Sequence, residues 1–210
     1  MKLFHFSDNH GKIDWLRKID LSKIDCVVST GDFFSNCSRG NRVKEVGFQT
    51  RWFDSIVEEF KEILGDLPFL VVDGNHDYIP LGQAMLLAGY SNVIPITPEG
   101  VTVGGIKFAG FGEVPYFTGE WNRETDWEDL RDLVEDTMFS KPDVLVTHAP
   151  CLGILDDGIG IEPLSTALSY EHHNVRHHLF GHNHLNGGHS REVMDIMFHN
   201  AATTYGIVVV

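Results

Sequence analysis

Five short apolar runs in this chain each end in residues able to bind a metal. The run 144–146 (V-L-V) is followed by Thr147 and His148, and the run 3–6 by Ser7, Asp8, Asn9 and His10. Val27 and Val28 lead to Gly31 and Asp32, and the run 69–72 leads to Gly74, Asn75, His76 and Asp77. The run 178–180 leads to Gly181, His182, Asn183 and His184. Short β-rich apolar runs bounded by glycine and polar residues read as buried strands. Five such strand ends converging on one place make a crevice at the carboxyl edge of a sheet, where open α/β folds hold their ligands.

The rest of the chain supplies what must cover those strands. Residues 43–64 carry Trp52, Phe53, Ile56, Val57, Phe60, Ile63 and Leu64 at helical spacing, with charge on the other face, so they predict the long helix. Gly65 and Pro68 punctuate its end. Shorter helices are predicted over 13–19, 79–88, 126–138 and 164–172, with Pro80 near the start of the second and Asp126 as N-cap of the third. Residues 101–103 and 106–109 predict a hairpin across Gly104-Gly105, and further strands are expected over 25–29, 191–198 and 205–210. Residues 112–127 read as irregular and aromatic-rich. Helix and strand alternate early and strands dominate late, which suggests an α/β sandwich on two packed sheets.

Bulk properties narrow the function classes. The 210 residues are 42% hydrophobic and no linker or low-complexity stretch divides them, so a single globular domain over 1–210 is expected. A net charge of -14 repels a polynucleotide backbone, and long nucleic acid is not an expected partner. Bound divalent cations would still supply positive charge for a small anion. Three cysteines, an odd number without Cys-x-x-Cys spacing, read as reduced thiols of a cytoplasmic protein rather than a zinc-thiolate site. The chain begins M-K-L-F-H-F-S-D, with no apolar stretch long enough for a signal peptide or membrane span.

Taken singly, the polar residues have structural readings. Asp8 could cap a turn, Asp32 could be a turn aspartate, His148 a satisfied core histidine, and His182-x-His184 a polar strand edge. Taken together, those readings need five coincidences at five strand ends. Imidazole nitrogen and carboxylate oxygen without thiolate suit Mn, Fe, Co, Ni and Zn. Asp8 and His10 cannot share one face of a regular strand or helix, so both reach a metal only from an irregular loop, which Gly11 permits. The same holds for His182 and His184 after Gly181. Asn75 adds a neutral carbonyl oxygen. Seven donors exceed one tetrahedral zinc; with one carboxylate shared they fit two metals about 4 Å apart.

The motifs D-x-H-G (8–11), G-D (31–32), G-N-H-D (74–77), T-H (147–148) and G-H-x-H (181–184), in this order, resemble the calcineurin-like metallophosphoesterases. Residues 148–156 and 179–184 look most like the small single-domain metallophosphodiesterase branch. The resemblance implies a four-layer αββα sandwich of two mixed sheets flanked by helices. It implies one metal on Asp8, His10 and His184, a second on Asn75, His148 and His182, and Asp32 bridging them. Mn2+ is the first expectation for both ions. The implied reaction is in-line attack on phosphorus by a hydroxide between the metals. His76 would donate a proton to the leaving oxygen or bind a phosphate oxygen. Many members carry a carboxylate three residues after the bridging aspartate to orient that histidine; here the position is Ser35, leaving Asp77, Asn36 or nothing to orient His76. The pattern G-D-x-x-D-R-G of protein phosphatases is missing.

The expected activity is therefore a phosphodiesterase acting on a small phosphoester, with a cyclic nucleotide as leading candidate. A nuclease, nucleotide pyrophosphatase or phosphomonoesterase on the same site is the enzymatic rival, and a non-enzymatic metal-binding scaffold the other. Tyr116, Phe117, Trp121 and Trp127 could roof the site for base stacking, but a peripheral apolar cluster is the preferred reading. Asp156 and Asp157 read as loop surface, and His178 as a structural residue that could support the metal ligands.

Overall fold

Alternation along the first strand sets the layering. In the computed structural model, which describes residues 1–170 and 172–210, Leu3 packs toward a second sheet while Phe4 and Phe6 pack toward helices. In chain order the elements are β1 (Lys2–Phe6), β2 (Cys26–Ser29), α1 (Arg42–Leu64), β3 (Phe69–Val71), α2 (Leu81–Leu87), β4 (Val93–Pro95), β5 (Val101–Val103) and β6 (Ile106–Phe111). They continue with β7 (Val114–Pro115), β8 (Glu124–Thr125), α3 (Trp127–Phe139), β9 (Val144–Thr147), α4 (Glu162–Leu168), β10 (His177–Phe180), β11 (Ser190–Val193), β12 (Ile196–Asn200) and β13 (Tyr205–Val209).

One sheet runs β13-β1-β2-β3-β4, parallel except for β13. The other runs β11-β12-β10-β9-β6-β5, parallel inside with antiparallel strands at both edges. Leu3, Val28 and Leu70 of the first sheet meet Val144, Val146 and Leu179 of the second in the seam between them. The first sheet's other face is covered by α1 and α2, and the second sheet's by α3 and α4. The result is the αββα sandwich expected.

Helix α1 buries Phe53, Val57, Phe60 and Leu64 at spacings of four, three and four. Each such side chain contributes roughly 1.5–3 kcal/mol on burial. Asn41 caps it by accepting from the Lys44 amide at 3.1 Å. Asp126 caps α3 as expected, accepting from Glu128 and Asp129 at 3.1 and 3.0 Å. No helix among the described residues is long and apolar enough to cross a membrane, and Cys26, Cys37 and Cys151 are unpaired.

Several local expectations change. Residues 191–198 form two antiparallel strands, because Met194 and Asp195 both take left-handed backbone (φ 51° and 60°) and turn the chain between β11 and β12. The helix expected over 13–19 is one 3-10 turn, Leu16–Lys18, burying Ile13 and Leu16 at the three-residue spacing such a turn favours. The helix expected over 164–172 starts earlier and ends at Leu168; Glu171 lies outside the described residues. Strand β4 has no counterpart among the expected elements because Pro95 argues against a strand interior, and the structure places it at a sheet edge.

Candidate metal centre

Strands β1, β2 and β3 end on one side of the crevice, and β9 and β10 on the other. Past their ends the loops lie side by side: the amides of Asp8, His10 and Gly11 donate to the carbonyls of Gly31, Asp32 and Phe33 at 2.9, 3.0 and 2.9 Å. Asp8, His10, Asp32 and His182 all have left-handed φ, at 55°, 46°, 53° and 63°. Asp and His tolerate this region better than most residues, yet each still costs on the order of 1 kcal/mol or more. This irregular backbone puts Asp8 and His10 in one place, as their spacing demanded. Gly74 and Gly181 permit the crowding, since a Cβ on either would collide with the Asp32 or Asp8 carboxylate.

All seven candidate ligands converge. His184 Nε2 lies 3.0 Å from Asp8 Oδ1 and 3.4 Å from His10 Nε2. His148 Nε2 lies 3.1 Å from Asn75 Oδ1 and 3.4 Å from Asp32 Oδ2. His10 Nε2 stands 4.0 Å from the same Asp32 oxygen. Three sets of donor atoms fall within 4.8 Å of one another: Asp8 with His10 and His184, Asp32 with His148 and His182, and His10 with Asp32 and His76. Asp32 is common to the last two.

The donor set fits a cation. His148 Nδ1 donates to the Thr30 carbonyl at 2.7 Å, which leaves its Nε2 lone pair aimed at two oxygens that are also acceptors. Lone pairs converging in a buried site need a proton or a metal between them. The field shows in the titration of the groups. Burial opposes a charge on His148, but Asp32 outweighs it and raises the pKa to about 9. Burial also opposes ionisation of Asp32 and Asp8, yet the facing histidines hold both carboxyls below the usual range. His182 is pushed down to about 4 by burial and by the nearby His148.

His76 is positioned from four directions. Its amide donates to Asp32 Oδ1 at 2.7 Å, and its carbonyl accepts from Gln49 Nε2 at 2.7 Å and Asn36 Nδ2 at 3.1 Å. Its Nδ1 meets Asn36 Oδ1, and Trp121 lies against the ring with centroids 4.0 Å apart. Asn36, of the three choices open in the sequence, therefore orients the ring. Asp77 does not touch it. Its carboxylate instead accepts from the amides of Asp32, Gly74 and Phe34 at 2.8, 2.7 and 3.0 Å, fixing the backbone that carries Asp32 and Asn75.

Two further supports, on α1, belong to no metal-ligand motif of the sequence. Glu45 and Gln49 extend the buried face of α1 at its start; Glu45 accepts from the Cys37 and Ser38 amides, and Gln49 holds His76. Polar residues in register with Phe53 and Val57 are the available signal. His178 Nε2 bonds Thr147 Oγ1 at 2.7 Å, bracing the loop that carries His148. Asp157 accepts from Asn183 and Asn186, in the loop after β10 that carries His182 and His184.

The aromatic residues do not form the peripheral cluster expected. The Glu124 carboxylate accepts from the amides of Phe117, Thr118, Gly119 and Trp121 at 3.1, 2.9, 2.6 and 3.1 Å and so fastens the loop between β7 and β8. Burial opposes its charge, but these bonds hold its pKa down to about 2. The loop sets Trp121 on His76 and brings Phe117 to 6.4 Å from the His182 ring.

Nitrogen and oxygen donors crowded around Asp32, at the mouth of this sandwich, form groups able to hold a metal ion, the equipment of a metal-dependent hydrolase. Residues 1–186 match the family model of calcineurin-like phosphoesterases, and the chain belongs to that family. No curated protein sequence matches it. Among solved structures, TT1561 of Thermus thermophilus superposes with a TM-score of 0.65 at 13% identity, over 99% of this chain and 97% of that one. The sulfate thiohydrolase SoxB of the same organism, in complex with glycerol, superposes with a TM-score of 0.53 at 13% identity, over 96% of this chain and 51% of that one. At these identities the likeness is one of fold.

Proposed function

We propose that this chain, as one domain over 1–210, is a cytoplasmic phosphodiesterase hydrolysing small phosphoesters, with cyclic nucleotides as the leading substrates. Asp8, His10 and His184 would hold one divalent ion, Asn75, His148 and His182 a second, and Asp32 would serve both, with Mn2+ the first candidate. The observation that carries this reading is Asp32 itself. One of its oxygens faces His148, His76 and His10 at 3.4, 3.9 and 4.0 Å.

Two ions bound there would supply a water of lowered pKa and neutralise the phosphoryl oxygens. The chain does the rest. Thr30 holds His148 in the tautomer that presents Nε2, and Asp8 orders His184. Asn36 Oδ1 accepts from His76 Nδ1, which turns Nε2 toward the crevice. In the doubly protonated ring Nε2 would carry the proton that passes to the leaving oxygen, leaving the ring neutral with Nδ1–H still on Asn36. Trp121 covers one face of that ring.

A diester monoanion suits the site better than a dianionic monoester. Two arginines around the loop that carries Trp121 are committed elsewhere: Arg39 pairs with Glu120, and Arg123 with Asp73 and Glu113. Turnover of bis-nitrophenyl phosphate against nitrophenyl phosphate, with Mn2+ added, tests the assignment. Diester turnover well above monoester turnover is expected. A strong monoester preference would overturn it, and no turnover of either would return the scaffold reading.

A further inference from the structure

A cleft of about 1000 Å³ opens beside the centre, and His182 is part of its wall. Tyr116, Phe117 and Trp127 line it with Leu152 and Ile159. The three aromatic side chains are 63%, 51% and 50% exposed. Exposed rings of this size lining one cleft mark a surface made to be covered. They are also held in place. Glu124 ties down the loop bearing Tyr116 and Phe117, and Trp127 begins α3. The cleft's charged side chains are Arg131 and Glu162, one of each sign, so it offers no net charge to a second anionic group. Apolar walls with few polar groups, continuous with a reactive centre, are how organic substituents are bound.

We infer that the cleft seats a neutral, flat aromatic substituent of the phosphoester, an aryl group or a nucleobase, stacked against Phe117 and its neighbours. Phosphorus at the centre leaves such a substituent within reach, because Phe117 stands 6.4 Å from the metal-ligand candidate His182. Aromatic walls favour an aromatic guest over a saturated one of the same size, through ring geometry beyond the area buried. Phe117 and Ile159 are thereby specificity-determining residues. The inference rests on the phosphodiesterase reading above.

The test uses three diesters with the same p-nitrophenolate leaving group and methyl, cyclohexyl or phenyl as the other ester. Each kcat/KM, with Mn2+ present, is divided by that ester's alkaline hydrolysis rate. The phenyl ester should exceed the methyl ester by at least about tenfold, since even a single methylene in an apolar pocket can be worth that much. It should also exceed the cyclohexyl ester. Phe117→Ala and Ile159→Ser, each at an exposed position, should both lower the phenyl-to-methyl ratio several-fold. Calorimetric binding of phenylphosphonate and methylphosphonate to the same proteins gives a second readout. Equal normalised rates for phenyl and methyl, or ratios unmoved by both variants, would overturn the cleft's role while leaving the phosphodiesterase reading intact. A cyclohexyl ester as good as the phenyl would overturn its aromatic character. If no ester turns over, the phosphodiesterase reading fails, and the calorimetric comparison alone decides whether the cleft prefers the aromatic group.

Discussion

The two halves of the proposed centre are built on different principles. Asp8, His10 and His184 form an outer half: the His184 side chain is 50% exposed and that of His10 24%. Asn75, His148 and His182 form an inner half, with Asn75 and His148 buried. The outer half has a carboxylate of its own besides Asp32, whereas the inner half replaces it with a neutral amide. The charge of the outer half sits on Asp8, whose side chain is itself buried, and only its two histidines meet solvent. A buried site can rely on fixed geometry, which the Thr30 bond to His148 supplies. The outer ion should therefore exchange with solvent while the inner one is retained.

The largest expected effect falls on the residue common to both halves. Asp32→Asn should lower turnover on the order of 10³-fold at limiting metal, because the charge stabilisation it anchors is worth several kcal/mol. Asn75→Ala and His10→Ala should each cost less. Near-normal turnover of Asp32→Asn at limiting metal would break the idea of a shared carboxylate.

Next comes His76, which belongs to neither half. His76→Ala should keep both ions and slow an alkyl or ribosyl diester about 10²–10⁴-fold, while a bis-nitrophenyl ester, whose leaving group needs little protonation, loses much less. Equal losses would mean that His76 binds phosphate and donates no proton.

The halves themselves are compared by elemental analysis during dialysis against a chelator. Two ions per chain are expected at saturation, followed by a one-ion species on the way to apo protein. His184→Ala should resemble that species, and His148→Ala should lose the inner ion. Simultaneous release of both would erase the asymmetry, and one ion at saturation would remove the pair altogether.

The smallest effect concerns Asn36. Asn36→Ala should cost roughly 10-fold on a ribosyl ester, as for other residues that orient a functional histidine, and leave metal content unchanged. Asn36→Asp should recover the loss. A nitrophenyl ester slowed as much as the ribosyl one would show that Asn36 only shapes the loop.

What the sequence made legible was local. Each strand end carries ligand-type residues, so Asp8, His10, Asp32, Asn75, His148, His182 and His184 could be read as a set from their order along the chain, and the structure brings them together. What stayed hidden was pairing across distance. Asn36 stood only as one of three choices for orienting His76, 40 positions on, and nothing in the string links Gln49 to a carbonyl 27 positions away. Glu124 was equally silent, because its four amide partners are defined only once the loop has folded back. The hairpin at Met194-Asp195 escaped for the opposite reason: it lacks the glycine or asparagine that usually announces such a turn.

The crevice lies across the seam of the sandwich, with three strands of one sheet and two of the other opening onto it. An ion gripped there would act as a rivet between the two sheets. At a concentration 100 times its dissociation constant, each ion that binds only the folded chain adds about 2.7 kcal/mol to cohesion. The exchange is reciprocal. Packing defects deep in the seam, around Val28, Val146 or Leu179, should weaken metal affinity from a distance, and metal should repair the stability they cost.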